Sequence, residues 1–368
     1  MASQVLVCDA RFVRTGLGRY TEQLLQGLRA QMPKVELWCI THPEREQQMR
    51  KYTDRVIPCS AAMYSFKAQV LIPLLARGAK LLHCPHYDVP AFYRKTLSAT
   101  IHDVTHLIDP AFRGTVKSRT FASPLLRMAV RKARRIITVS QYSKQMIVDH
   151  LGAKEGKISV IHNSTNPIFA PMLVDRAKAV VRDRLGINRD YFLFVGSPKP
   201  HKNLPVLFEA LALLYTKHRD APQLVIIGRD GRHELTLRKL AAQLKIEREI
   251  RWIDFVRDEL LRACYAGAEA TILPSRQEGF GYPVIESMAC GTPVICSDAA
   301  SLPEIAGGCS LLFEASSSES CFEQLSQVIS SSELRAHLRE QGLRRARHFE
   351  STRAVREHAQ VFAELLAE

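Results

Sequence analysis

The chain has 368 residues, room for two domains of ordinary size, and its mean hydropathy of −0.10 with 46% hydrophobic residues is that of a chain that folds in water. Its net charge of +14 is one-sided: residues 1–170 carry 25 Lys and Arg against 11 Asp and Glu, and the remainder carries 26 of each. The longest nearly uncharged apolar run, residues 68–76, is too short to span a bilayer, no signal peptide precedes the first strand, and nine dispersed cysteines fit neither a disulfide framework nor zinc spacing. A membrane-spanning protein, a disulfide scaffold and a zinc module are thereby excluded, and reduced thiols in a cytoplasmic protein are expected.

In chain order, residues 5–9 predict a first strand, followed by A-R-F-V-R-T-G-L-G-R-Y-T (10–21) and an amphipathic helix through Leu24, Leu25 and Leu28. Gly16 and Gly18 would let that loop approach a ligand closely and offer it free N–H groups. Strands are expected again at 35–40, 55–58, 80–84, 99–102, 135–139 and 158–161, with helical spacers. Such alternation predicts parallel sheets covered on both faces, with ligands at the carboxyl ends of the strands. Polar residues cluster at those ends: His83, Pro85 and His86; His102 and Asp103 in T-I-H-D-V-T-H; Ser140 and Ser143 in T-V-S-Q-Y-S; Asn163 in V-I-H-N-S. A strand-end histidine is often only a satisfied cap, and the residues alone do not separate that use from function.

Residues 110–148 contain no acid and nine basic residues. Solubility is the plain explanation; an anionic membrane leaflet or anionic acceptor is the functional one. No nucleic-acid motif is present, so nucleic acid is not expected as a partner. Segment 64–80 mixes apolar residues with sparse lysine and arginine, and segment 121–135 sets apolar residues beside five basic ones. Each suits core packing, and each is a candidate for membrane contact.

P-I-F-A-P (167–171) has the composition of a linker. Beyond it come a helix at 174–185 and strands at 191–195, 223–227, 250–253, 270–273, 293–296 and 310–313, then a basic helix at 333–349 and a last helix at 351–368. The expected fold class is α/β, two Rossmann-like domains facing across a cleft: an amino-terminal domain over 1–168, a carboxy-terminal domain over 169–350, and a final helical segment over 351–368.

The richest stretch is S-R-Q-E-G-F-G-Y-P-V-I-E (275–286). It places Glu278 and Glu286 eight positions apart around Gly279 and Gly281, with Pro283 opening an expected helix at 284–289. A strand, glycine loop and helix start leave N–H groups at 280–284 aimed above the sheet, where the helix dipole favours an anion. Two carboxylates beside an anion site suit a ligand carrying both phosphate and hydroxyls. A second such element is V-G-S-P-K-P-H-K-N-L (195–204), which carries Gly196, Lys199, His201 and Lys202 into a helix start.

The first stretch, continued by M-A-C-G-T-P-V-I-C-S-D (288–298) and L-P-E-I-A-G (302–307), resembles the donor-binding segment of the retaining glycosyltransferases of family 4, which have the GT-B fold. With R-T-G-L-G-R-Y, H-D-V, P-H-K-N and E-G-F-G-Y-P, the pattern is most similar to bacterial mannosyltransferases of cell-surface polysaccharide and lipopolysaccharide assembly. The resemblance implies a hexosyltransferase, with GDP-mannose as first donor and UDP-glucose as an open alternative. It implies that Gly16 and Gly18 face the donor diphosphate, that Lys202, with Lys199 and His201, neutralises it, and that Glu286 holds the ribose. Glu278 and the N–H groups of Phe280 and Gly281, beside Tyr282, would hold the sugar, and His102 would lie close to it. His201 stands where arginine is common in the family, which leaves its part in diphosphate binding open. His86, Asp103 and Ser140 are acceptor-side candidates. The implied final helix crosses back to the first domain. No D-x-D occurs in the chain, so no metal or other cofactor is expected beyond the nucleotide sugar. The expected partners are a glycan or lipid-linked acceptor and an anionic membrane surface met by the amino-terminal domain at the inner face of the plasma membrane. A GT-B epimerase and a non-catalytic anion-binding protein are the alternatives from other classes.

Overall fold

The computed structural model describes residues 4–11, 16–108, 116–218 and 220–368. The chain divides into two compact units, residues 1–163 with 351–368, and residues 164–350. Residues 164–168, expected at the end of the amino-terminal domain, lie in the second unit.

Among the described residues, the first unit holds a parallel sheet of seven strands: β1 (Gln4–Ala10), β2 (Val35–Thr41), β3 (Arg55–Pro58), β4 (Leu81–Cys84), β5 (Thr96–Thr100), β6 (Arg135–Thr138) and β7 (Ile158–Val160). They lie in the order β3-β2-β1-β4-β5-β6-β7, so the direction of winding reverses between β1 and β4. Helices cover both faces, which is why the strands read as unbroken apolar runs such as V-L-V-C. One face packs on Ile72, Leu126 and Ile147 from the helices Phe66–Leu75, Val116–Lys132 and Gln141–Leu151. The other packs on the helix Gly16–Gln31 and on the carboxy-terminal helix Ser351–Ala367.

That last helix belongs to the first unit for a packing reason. Val355, Ala359, Phe362 and Leu366 recur at helical spacing and are all buried. Fully burying side chains of this size contributes about 1.5–3 kcal/mol each for Val, Leu and Phe. A Cβ on Gly27 would lie 2.4 Å from Val355 Cγ2, so the bare backbone at Gly27 is what admits the helix.

The second unit repeats the plan with β8 (Tyr191–Val195), β9 (Gln223–Ile227), β10 (Ile250–Ile253), β11 (Ala270–Leu273), β12 (Val294–Ser297) and β13 (Leu311–Phe313), ordered β10-β9-β8-β11-β12-β13. Its winding reverses between β8 and β11. In open sheets of this kind the reversal opens a crevice at the carboxyl ends of the two diverging strands.

Two local expectations are corrected. The helix after β1 starts at Gly16, so Gly16 and Gly18 form its first turn rather than a preceding loop. Strand β5 starts at Thr96, three residues ahead of the expected 99, and His102 lies two residues beyond its end. The alternation Thr96, Ser98, Thr100 reads as polar, yet Ser98 and Thr100 are fully buried and hydrogen-bonded to His83. The nine cysteines are all free, and eight are buried among apolar neighbours.

Candidate active site

In the second unit, β8 and β11 are hydrogen-bonded neighbours, and each ends in one of the two glycine loops. After β8, Gly196 adopts φ +143°, and a Cβ there would stand 3.9 Å from Lys202 Nζ, so the ammonium lies over the bare glycine backbone. Gly228, after β9, is pressed onto the same turn: its Cβ would lie 2.2 Å from the Gly196 carbonyl. Asn203 holds the left-handed conformation that starts the helix Leu204–Lys217, and its Nδ2 donates to the carbonyls of Pro274 at 3.0 Å and Ala315 at 2.8 Å. The loop after β8 is thereby tied to the end of β11.

Lys202 Nζ is ion-paired with Glu278 Oε1, and Ser275 Oγ donates to the same oxygen at 2.9 Å. Both charged side chains are mostly sequestered, 16% and 12% exposed. Ser301 Oγ donates to the carbonyls of Glu278 at 3.0 Å and Phe280 at 3.1 Å, clamping the loop from the far side. Gly281, at φ +96°, caps the helix Tyr282–Cys290, with Pro283 in its first turn. The start of this helix is not a row of open N–H groups as expected for 280–284, because the Val284 N–H is bonded to the Gly281 carbonyl.

Glu286 is 5% exposed, and its Oε2 accepts from Tyr265 OH at 2.8 Å. Its carboxylate is thus held on the buried side of the helix, presented by a tyrosine.

His201 is held neutral. Burial, followed by the charges of Lys202 and Lys199, pushes its pKa down to about 3. A cation has to be desolvated there beside two others, and the imidazole loses its proton instead. The positive charge of this loop therefore comes from Lys202 and from exposed Lys199.

In the first unit, the reversal lies between β1 and β4. Asp9, near the end of β1, takes a two-pronged bond from Arg11: Nε to Oδ1 and Nη2 to Oδ2, both 2.8 Å. Arg11 Nη1 donates to the Ala61 carbonyl at 2.8 Å, and Nη2 lies 3.7 Å from Asp88 Oδ2. After β4 comes Pro85, whose carbonyl lies 3.0 Å from His102 Nε2. A carbonyl only accepts, so Nε2 carries the proton of the neutral ring. The edge of Tyr20 packs on that ring at 4.8 Å. His86 stacks on Tyr87 at 3.9 Å and meets Tyr64 OH at 3.3 Å. Of the other acceptor-side candidates, Asp103 Oδ1 accepts the Thr105 N–H, and Ser140 Oγ accepts the Ser143 N–H to cap the helix Gln141–Leu151. Those two side chains shape loops. Ser143 Oγ donates to the His102 carbonyl and fixes its backbone.

A buried polar chain backs His102. His358 Nδ1 faces the Ala354 carbonyl at 2.7 Å and so must donate, which makes Nε2 the acceptor of Tyr20 OH at 2.7 Å. Tyr20 OH also meets Thr100 Oγ1 at 3.1 Å. Burial lowers the pKa of His83, His102 and His358, the last to about 4. In the unfolded chain all three titrate near about 6.5. That chain binds more protons as the pH falls, so the stability these rings contribute is complete above about pH 6.5 and is lost toward pH 4. For His358 alone the loss is about 3 kcal/mol. Thermal unfolding between about pH 7 and pH 4.5 is expected to show a falling midpoint, less steep in His358→Gln; a midpoint independent of pH there would refute it.

Ser275, Ser301, Tyr265, Tyr20 and His358 were not singled out from the sequence. Tyr20 lies in the quoted R-T-G-L-G-R-Y and Ser275 opens the S-R-Q-E stretch, but Ser301, Tyr265 and His358 carry no local signal.

The model of the family "Glycosyltransferase Family 4" matches residues 14–168, and that of "Glycosyl transferases group 1" matches residues 178–345. The O-antigen chain mannosyltransferase B of Escherichia coli is 26% identical over 328 residues, 89% of this chain and 79% of that protein. The O-antigen chain mannosyltransferase RfbU of Salmonella typhimurium is 28% identical over 246 residues, 67% of this chain and 64% of that protein. HepE of Anabaena, solved in complex with UDP-glucose, has the same fold with a TM-score of 0.76, at 16% identity and over 98% of this chain and 99% of that one. With one family match on each unit and a parallel sheet wound in both directions in each, the chain belongs to the GT-B glycosyltransferases, a family 4 amino-terminal half joined to a group 1 carboxy-terminal half.

Proposed function

We propose that this chain is a retaining, metal-independent mannosyltransferase that moves mannose from GDP-mannose to a lipid-linked glycan of a bacterial cell-surface polysaccharide, at the inner face of an anionic membrane. The observation that carries the reading is the Lys202–Glu278 pair on the adjoining loops of β8 and β11, where the winding of the second sheet reverses. Breaking the glycosyl–phosphate bond leaves negative charge on a diphosphate and positive charge on the sugar ring. Lys202 answers the first, with Lys199. Glu278 binds sugar hydroxyls and favours the growing cation. Glu286, oriented by Tyr265, takes the ribose hydroxyls, and Phe280, Gly281 and Tyr282 line the sugar. His102, neutral and held by Pro85, approaches the sugar, and His86 serves the acceptor. Mannose is supported by the two O-antigen mannosyltransferases among the relatives. Retention and metal independence rest on the family resemblance and on a site whose cations are lysines.

A UDP-hexose donor is the second reading, favoured by the UDP-glucose complex of HepE. Thermal stabilisation by GDP, UDP and their sugar conjugates, with and without EDTA, separates the two. A ligand at one hundred times its Kd adds about 2.7 kcal/mol to the folded state. The expected result is a shift with GDP and GDP-mannose that EDTA leaves unchanged. A shift with UDP alone would replace the donor, an EDTA-sensitive shift would remove metal independence, and no shift would overturn the donor site. Formation of an epimerised nucleotide sugar with no acceptor added would favour an epimerase, and an inverted anomeric configuration in the product would refute retention.

A further inference from the structure

Tyr64 has φ +58°, in the left-handed region that suits glycine and disfavours a bulky side chain. The conformation is imposed by its surroundings. Buried Asp88 accepts the Tyr64 N–H at 2.8 Å, and the Gln69 amide donates to the other Asp88 oxygen at 3.2 Å. Arg11, 3.7 Å from Asp88, also donates to the Ala61 carbonyl, and Ser65 Oγ donates to the Ala62 carbonyl at 2.6 Å. The loop is thus pinned at 61, 62 and 64. Backbone strain that the surroundings hold this firmly gathers at functional sites.

The core gains little from the strained ring, since Tyr64 is 50% exposed. It meets His86 with centroids 5.7 Å apart at 72°, and Tyr87 with centroids 5.8 Å apart at 38°. His86 lies on Tyr87, which packs on the core of the unit. A glycine at 64 would satisfy the backbone and leave that core intact.

The three rings follow the carboxyl end of β4, where β1 and β4 part and a crevice opens. Pro85, one residue before His86, accepts from His102 at 3.0 Å, so the rings and His102 hang from one turn. Burial foremost, helped by the charges of Asp103 and Asp88, raises the pKa of Tyr87 and keeps its hydroxyl a donor.

We propose that Tyr64, with His86 and Tyr87, is a stacking platform for a pyranose ring of the acceptor, so that the acceptor is recognised by a sugar unit rather than by its lipid or its phosphate. This rests on the transferase reading and names what the acceptor side of the first unit recognises. One face of a pyranose is a layer of C–H bonds, and its rim is hydroxyl. The C–H face suits the negative face of an aromatic ring, and the rim suits tyrosine hydroxyls and imidazole nitrogens. An acyl chain offers no such rim, and a phosphate no apolar face.

The test is a saturation-transfer NMR titration of the full chain with the methyl glycosides of mannose, galactose and N-acetylglucosamine, and with octyl glucoside below its micelle concentration. The expected result is saturation of the ring C–H protons of at least one methyl glycoside. Its affinity should fall about tenfold in Tyr64→Gly, the upper worth of one stacked aromatic contact, and persist in Tyr64→Phe, which keeps the ring. Tyr64→Gly should unfold close to the wild-type temperature, because relieved strain offsets the freedom glycine adds to the unfolded chain. A steep drop in that temperature would make Tyr64 a structural residue and overturn the proposal. So would the absence of ring signal from every methyl glycoside, or a signal from the octyl chain alone, which would make the rings a lipid contact. A signal kept in Tyr64→Gly and lost in Glu278→Gln would place the sugar in the donor loops and overturn it equally. Thermal shift with nucleotide separates the two readings. No shift with the Tyr64-dependent ring signal intact would count against the donor site and support the platform; a shift without ring signal would do the reverse.

Discussion

Lys202→Ala is expected to lower kcat/KM by about 10²–10³-fold, the cost of removing a preorganised partner of the charge that develops in a transition state. The lysine is already in place before any ligand arrives. Glu278 and the backbone turn at Gly196 hold it, so little reorganisation is needed when the diphosphate departs. Because the charge on the leaving group grows along the reaction, kcat should fall more than the affinity for the donor. Glu278→Gln should fall comparably, for a different reason: it frees the lysine and removes the carboxylate that binds the sugar. The two residues act as a unit, so the double variant should lose less than the product of the single losses. Each single variant should also lose about 1–3 kcal/mol of stability, because it leaves the other member of a mostly sequestered pair without its partner. Steady-state kinetics with GDP-mannose and an acceptor, beside thermal unfolding of each variant, decides it. Full activity in Lys202→Ala would remove the lysine from the leaving-group role.

The architecture was legible because its signals are local and repeated. Runs such as F-L-F-V and A-T-I-L can only be strands buried on both faces, and their alternation with helices requires parallel sheets. The strands at 191–195, 223–227, 250–253 and 270–273 fall where the apolar runs do. The bounds of β5 were less legible: it starts at Thr96, ahead of the expected 99, and its polar residues Ser98 and Thr100 are buried against His83 of a neighbouring strand. Gly16 and Gly18 look like a loop, since glycine is a poor helix former, yet they open a helix.

In the site, the loops that carry Lys202 and Glu278 were readable from glycine, proline and charge, but their ion pair was not. It depends on β8 and β11 being neighbours, which brings together two residues 76 apart in sequence. Tyr265, which orients Glu286, and His358, which orients Tyr20, lie on the buried faces of amphipathic helices, among apolar residues. Nothing within their own helices distinguishes them from ordinary core positions.

The largest loss of stability is expected from Arg11→Met. Arg11 is 5% exposed, between Asp9 at 2% and Asp88 at 3%, and it ties β1 to the chain at Ala61. Its guanidinium is held firmly protonated: burial opposes the charge, and the bond and charge of Asp9, then Asp88, outweigh burial. Removing it strands two carboxylates in a buried place, which costs about 3–5 kcal/mol. Asp88 keeps the Tyr64 N–H and the Gln69 amide, so Asp9 bears most of the loss. A carboxylate left without its cation has a folded pKa above its unfolded value of about 3.9. Its penalty is therefore largest at neutral pH and shrinks as the pH falls through the raised value, the reverse of the histidine effect. Asp9→Leu combined with Arg11→Met should recover at least half of the stability, because replacing both charges leaves neither unpaired. Thermal unfolding of wild type, single and double variants at about pH 7 and pH 5 reads all three expectations. A single variant as stable as the wild type would mean that the ion pair contributes nothing to the fold. A double variant no better than the single would place the loss in packing and the Ala61 tie rather than in charge.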